Sequence, residues 1–177
     1  FETIGSYCLT HLLNSPGNFT ASKLAWVKEN QPEIYARIKQ VMLPGDFIAG
    51  RLTKHFTTTA SALSEGIFYD FQTDTISSAV LDYFKFDKSL FPNIQDVFSS
   101  HGTIVSEVAD ALGLNKQVQV TYKSGDQPNN AFSLGVLQPG DIATTAGTSG
   151  VVYGISGELK YDKYNRSEEH TSELQSQ

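Results

Sequence analysis

An α/β fold is the class this sequence predicts, and three observations carry it. Apolar residues at helical spacing recur along most of the chain, strand-like alternation is confined to short runs, and Gly, Pro, Asn and Asp cluster between them. Amphipathic helices need a sheet to cover, so the shortage of strands marks an α/β piece whose main sheet is under-represented. The 177 residues favour one domain or pieces of two, and 40% apolar with 11% aromatic residues suffices for a core. Disorder is therefore not the default reading.

Tyr7 to Leu13 is an apolar run, closed by a turn over Asn14, Ser15, Pro16, Gly17 and Asn18. Thr20 is the expected N-cap of a helix through Lys23, Leu24, Trp26, Val27 and Glu29. A second helix is expected from Pro32, its first position, with Ile34, Ile38 and Val41 on one face. Pro44-Gly45-Asp46 opens a short helix over Phe47, Ile48 and Leu52, and the β-branched run from His55 to Thr59 reads as extended. Ser61 to Tyr69 fits helix or loop. Thr75 to Phe84 is expected to be an amphipathic helix, with Ile76, Val80, Leu81 and Phe84 on one side. After a break at Phe91-Pro92-Asn93, Val105 to Leu112 suits a helix that ends on Gly113 as a left-handed cap. Val118, Val120 and Tyr122 alternate as a half-buried strand should. Pro128 to Leu137 can form a helix stopping before Pro139-Gly140, and Ile142–Thr145 with Val151–Ile155 reads as a hairpin.

Net charge is −6, with Lys and Arg scattered rather than striped, so no nucleic-acid footprint is visible. No apolar run approaches bilayer length and no charged-then-apolar segment opens the chain, so no membrane partner is expected. The single cysteine, Cys8, excludes an internal disulfide framework and fits a reducing, cytoplasmic location. The chain opens at Phe1 inside what reads as ordered sequence. Arg166 to Ser176 (RSEEHTSELQS) looks like the conceptual translation of a sequencing adapter, so residues 166–177 are expected to be an artefactual, disordered tail. Without residues 167–177 there remain 13 basic and 16 acidic residues, a net charge of −3.

Three places could carry chemistry. Asp126 sits on a Gly-flanked turn after the Val118–Tyr122 strand, where a carboxylate can accept a proton from an attacking hydroxyl; the bland alternative is an Asp that shapes the turn or caps a helix. Gly147-Thr148-Ser149-Gly150 lies between two strand-like runs, where glycines let backbone approach phosphate oxygens and hydroxyls add donors. It is not a Walker loop, since no Lys follows and no helix opens there; its alternative is a tight β-turn. Trp26 on a helix could wall a sugar pocket or simply pack. His11, His55 and His101 have no ligand spacing, so no protein-held metal is expected, and Cys8 reads as a small core residue.

These residues resemble a known family. Phe19-Thr20-Ala21-Ser22-Lys23-Leu24-Ala25-Trp26-Val27-Lys28-Glu29-Asn30 is similar to the first signature of the FGGY carbohydrate kinases. Gln31 to Tyr35 and Leu43 to Phe47 resemble its xylulokinase branch, Ser124 to Ala131 resembles the segment with the catalytic aspartate, and Ala146 to Gly150 resembles the phosphate-side loop. The resemblance implies a fragment of a two-lobed actin-like, ribonuclease-H-like sugar kinase, with ATP and sugar in the cleft between lobes. It places residues 1–138 in the latter part of the first lobe and 139–165 at the start of the second. It implies Asp126 as general base on the sugar hydroxyl, the C5 hydroxyl if the sugar is D-xylulose, with Gln127 and Trp26 beside the sugar. Gly147, Thr148 and Ser149 would approach ATP phosphates with Mg²⁺. A homodimer of the full-length protein is left open. The family's Asp-x-Gly-Thr loop and most of its second lobe have no counterpart here, so the fragment alone is expected to be inactive and marginally stable. Thr58-Thr59 stand where relatives usually carry an Asp near the sugar. Other family substrates (glycerol, ribulose, gluconate) and a non-catalytic actin-like nucleotide switch remain as alternatives.

Overall fold

The structure is a computed structural model describing residues 4–14, 17, 19–146 and 150–161. The adapter-like tail, 166–177, therefore lies outside the described residues. The chain opens with α1 (Ile4–His11) and α2 (Thr20–Asn30). Thr20 is the first helical residue rather than the cap: Phe19 is extended, caps without a side-chain bond, and its carbonyl accepts from Lys23 N at 3.1 Å. α2 lays Ala21 and Leu24 on the core, and Ala21 N bonds Gly66 O at 3.1 Å. α3 (Pro32–Tyr35) starts on Pro32 as expected but lasts a single turn. Ile38 and Val41 reach the core from the segment beyond it, and Val41 N donates to Leu90 O at 2.7 Å. A tertiary backbone bond here replaces the expected helical face.

α4 (Pro44–Thr53) follows the local chemistry closely. Pro44 occupies the first helical position, where its missing N–H costs nothing, and it holds Leu43 extended. β1 (Thr57–Thr58) then leads to α5 (Ala60–Glu65), capped by the Thr59 hydroxyl, which accepts from Ala62 N at 3.1 Å. β2 (Tyr69–Asp70) and β3 (Thr75–Ile76) form an antiparallel pair. Thr75 and Ile76 thus belong to a strand, not to the expected helix over Thr75–Phe84. Ser77 is the reason: its hydroxyl accepts from Val80 N at 3.3 Å, so α6 (Ser78–Phe84) begins only after it.

A 3₁₀ turn (Lys88–Leu90) precedes β4 (Asn93–Ile94), which pairs in parallel with β1 through Thr57 opposite Asn93 and Thr58 opposite Ile94. α7 (Ser106–Leu112) ends on Gly113 at φ 65°, the left-handed cap read from the sequence. The expected strand over Val118–Tyr122 is reduced to one bridge, Thr103 opposite Gln119, with flanking bonds such as His101 N to Val120 O at 2.7 Å. Its cross-chain backbone bonds go to residues 101–104, Val118 N turns back to Asn115 O at 3.1 Å, and Val118 is exposed. α8 (Asp126–Ser133) starts earlier and stops earlier than the expected Pro128–Leu137 helix. β5 (Ile142–Ala146) and β6 (Gly150–Gly154) form the expected hairpin, Ile142 opposite Gly154 and Ala146 opposite Gly150.

The main core gathers Cys8, Leu12, Leu24, Leu63, Phe68, Val80, Leu81, Phe86 and Phe91 among its buried residues. Phe68 is its centre, with the Phe91 ring 4.6 Å and the Phe86 ring 6.3 Å away, distances suited to tilted aromatic packing. A much smaller cluster, Ala131, Ala143 and Tyr153, joins α8 to the hairpin.

Candidate active site at the start of α8

Asp126 is the first residue of α8, not a residue of a free turn at a strand's end. Its Oδ1 accepts from Gln127 N at 2.9 Å, and an acid in the first turn complements the helix dipole. The cap of α8 is Gly125, without a side-chain bond, and the Asp126 contact is a local one to the next N–H. That contact does not compete with a chemical role, because the Asp126 side chain is exposed and its second oxygen can still be addressed by a ligand.

A buried polar network lies just before it. Lys123 is buried, and its ammonium reaches Asp46 Oδ1 at 2.8 Å, the Thr57 hydroxyl at 3.0 Å and the Thr57 carbonyl. Three N–H donors thus meet three acceptors. The Thr57 hydroxyl in turn lies 3.2 Å from His101 Nδ1, and His101 Nε2 lies 3.2 Å from the Val97 carbonyl. A carbonyl can only accept, so Nε2 carries a proton and donates to Val97 O. The chain of bonds ties α4, β1, the 97–101 segment and the approach to α8 into one buried network. Asp46 Oδ2 is buried without a hydrogen-bond partner among the described residues.

The backbone between Lys123 and Asp126 is clamped from two sides. A side chain at Gly45 would come within 3.4 Å of the Ser124 carbonyl, so α4 starts directly against this strand of backbone. On the other side a Cβ at Gly125 would stand 2.7 Å from Glu65 Oε2, closer than real Cβ contacts allow, so the Glu65 carboxyl occupies the space a larger residue would need. Burial pushes the Glu65 carboxyl above the ordinary range, and the charges of Asp126 and then Asp46 push the same way. Two acids, one exposed and one partly buried and reluctant to ionise, thus face each other across Gly125.

The remaining sequence candidates distribute unevenly. Gln127 follows Asp126 on α8 and is half-buried. Trp26 is 55% exposed on α2, so it is not a packing residue, and no hydrogen bond or ring contact links it to Asp126 among the described residues. Gly147, Thr148 and Ser149 lie outside the described residues, between the paired ends of β5 and β6. Cys8 is buried and its thiol is pushed up to about 11 by burial, as a core residue should be. His11 pairs with Asp70 at 3.2 Å and His101 is enclosed in the network above. Sequence reasoning missed Lys123, Thr57 and Glu65 altogether and used Asp46 only as a helix opener. Nothing local signals them, because a Lys among alternating apolar residues reads as the solvent face of a strand.

The described residues contain no cluster of three or more His, Cys, Asp or Glu that could hold a metal by itself. Among the described residues no helix is long and apolar enough to cross a membrane.

Residues 6–133, from α1 to the end of α8, match the N-terminal domain of the FGGY family of carbohydrate kinases. The chain belongs to the FGGY family. The xylulose kinase of Haemophilus influenzae is 30% identical over 159 residues, which cover 88% of this chain and 31% of that protein. The chain thus spans about a third of the length of the curated relatives it matches, 27% to 31% in the first three. Among solved structures, xylulose kinase from Rhodospirillum rubrum superposes with TM-score 0.78 at 23% identity, covering 84% of this chain and 31% of that one. Plasmodium falciparum glycerol kinase with ADP superposes with TM-score 0.74 at 22% identity over 82% of this chain and 30% of that one. At those identities the structural likeness shows fold, and the fold is the expected one: part of a two-lobed actin-like, ribonuclease-H-like sugar kinase.

Proposed function

We propose that this FGGY segment serves an ATP-dependent sugar kinase whose substrate is a ketopentose, D-xylulose above others, phosphorylated on its C5 hydroxyl. The observation that carries this reading is the exposed Asp126 on the first turn of α8, three residues after a buried Lys123–Asp46 ion pair and within the matched family domain. Asp126 accepts the proton of the attacking hydroxyl, and with Oδ1 engaged by Gln127 N, Oδ2 is the oxygen that takes it. Gln127, next on the helix, lies beside the sugar, and the exposed indole of Trp26 offers an apolar wall to its carbon face. Gly147, Thr148 and Ser149 are the residues that would approach the nucleotide, with the lobe boundary near residues 138–139. Bound ATP supplies the phosphoryl group, and Mg²⁺ neutralises its charge. Identities near 30% to xylulose kinases support the sugar, and a cytoplasmic location is the setting that suits this reaction.

The test is Asp126→Asn in a full-length kinase carrying this segment. Loss of about 10³-fold or more in kcat is expected, with the protein still folded. Retention of kcat would reject Asp126 as base. The likeness to glycerol kinase favours a second reading, a polyol substrate. A panel of D-xylulose, ribulose, gluconate and glycerol separates the two by kcat/KM.

A further inference from the structure

Lys123 is buried three residues before Asp126, and each of its bonds goes to an element of the well-packed part of the molecule. Asp46 stands on the first turn of α4, and Thr57 belongs to β1, whose hydroxyl is itself fixed through His101 to the Val97 carbonyl. By contrast, α8 has no side-chain cap at its start, and of its residues only Ala131 is buried. Apart from Ala131, the helix is anchored by the ring of Phe132 on Phe98 and Tyr122, at the end away from Asp126. At the Asp126 end the restraint lies in the approach through Lys123, Ser124 and Gly125, with Gly45 and Glu65 closing in from either side.

We propose that Lys123 is a positioning residue for Asp126: its ammonium, shared between Asp46 and Thr57, sets where the first turn of α8 presents its carboxylate. The inference rests on the reading of Asp126 as the base. Lys123 touches no reacting atom in this scheme. It acts by holding the backbone, so its loss lowers the rate of the bound complex and leaves sugar binding nearly intact. Misplacement of a reacting group by an ångström is enough to cost about a hundredfold in rate.

The experiment compares Lys123→Met, the neutral pair Asp46→Leu/Lys123→Met, Thr57→Val and Asp126→Asn in a full-length kinase carrying this segment, with kcat, sugar KM and Tm for each. Lys123→Met is expected to lower kcat about 30- to 100-fold with KM within about threefold. The double variant, which leaves no unpaired buried charge, should regain most of the Tm but not the kcat. Thr57→Val, which keeps the ion pair and removes one anchor, should lower kcat about threefold to tenfold. A double variant that regains kcat along with Tm would overturn the proposal, since the pair would then serve stability alone. If Lys123→Met does not fold, unchanged kcat in both Thr57→Val and the double variant overturns it equally. An inactive Asp126→Asn beside a normal Lys123→Met removes the role of Lys123 and leaves the base. An active Asp126→Asn removes the base and the positioning role with it.

Discussion

From Cys8 to Phe91 the chain builds its main core, although Trp26, Ile48 and Tyr83 stay exposed, whereas from Leu114 to Tyr161 only Ala131, Ala143, Val151 and Tyr153 are buried apolar residues among those described. In the first region Leu12 and Phe68 are 1% and 2% exposed. In the second, Leu134 and Ile142 are 63% and 65% exposed, and Phe132, Leu137 and Val152 are exposed as well. Both regions have regular elements, but for different reasons. The first holds its helices by burial and by side-chain caps at Thr59 and Ser77. The second holds a hairpin by its own backbone ladder and a helix by Ala131 and by the half-exposed packing of Phe132 on Tyr122 and Phe98. The candidate site lies at the seam, where Lys123 lends the order of the first region to the first residue of α8. A chemically active group can thus sit on a weakly packed helix, provided the bonds just before it reach a rigid part of the fold.

The sharpest way to break this contrast is a pair of truncations in a full-length kinase carrying this segment, read by chemical denaturation. Phe68→Ala should cost about 3–5 kcal/mol, because it empties the middle of an aromatic cluster. Phe132→Ala should stay within about 1 kcal/mol, since the ring is 44% exposed against Tyr122 and Phe98. Comparable losses at the two positions would show that the second region is better buried than described. A smaller effect is expected at the caps. Ser77→Ala removes the acceptor for Val80 N and a 3.2 Å contact with the Tyr7 hydroxyl, and should cost about 0.5–2 kcal/mol, seen as a lower denaturation midpoint.

The smallest effect concerns the seam itself. The folded state holds the Glu65 proton to a higher pH than the unfolded chain does, because burial and the charges of Asp126 and Asp46 resist ionisation. Folding therefore loses stability as pH rises through the ordinary Glu pKa, about 4.3, towards the raised value. Glu65→Gln should flatten that part of the stability-against-pH curve. An unchanged slope would show that Glu65 is not pressed against Gly125 and Asp126. Asp70 has the opposite sign. Burial raises its pKa, but hydrogen bonds from Tyr7, Gln72 N and His11 outweigh it and hold it below the ordinary range, so its contribution is lost only as pH falls into the acid range.

Much of the fold was legible because single residues punctuate it. Pro32 and Pro44 start helices, Gly113 ends one, and the β5–β6 hairpin lies where alternation and the Gly-rich stretch place it. The failures share a cause. Thr75–Ile76 and the segment after Tyr35 have apolar spacing that suits a helix, but Ser77 as a cap and the bond of Val41 N to Leu90 O overrule it. Periodicity reports which face is apolar, and it does not report which distant partner takes the backbone bonds.

The same division runs through the site. The chemical identity of Asp126, its Gly-flanked start and the family to which its segment belongs are properties of contiguous residues, so the amino-acid order alone determines them. That Lys123 is buried, that Asp46 and Thr57 share its charge, and that Glu65 closes over Gly125 were decided only by the tertiary structure. A buried ammonium is tolerated only where folding brings acceptors to it, and those acceptors come from α4 and β1, far away along the chain.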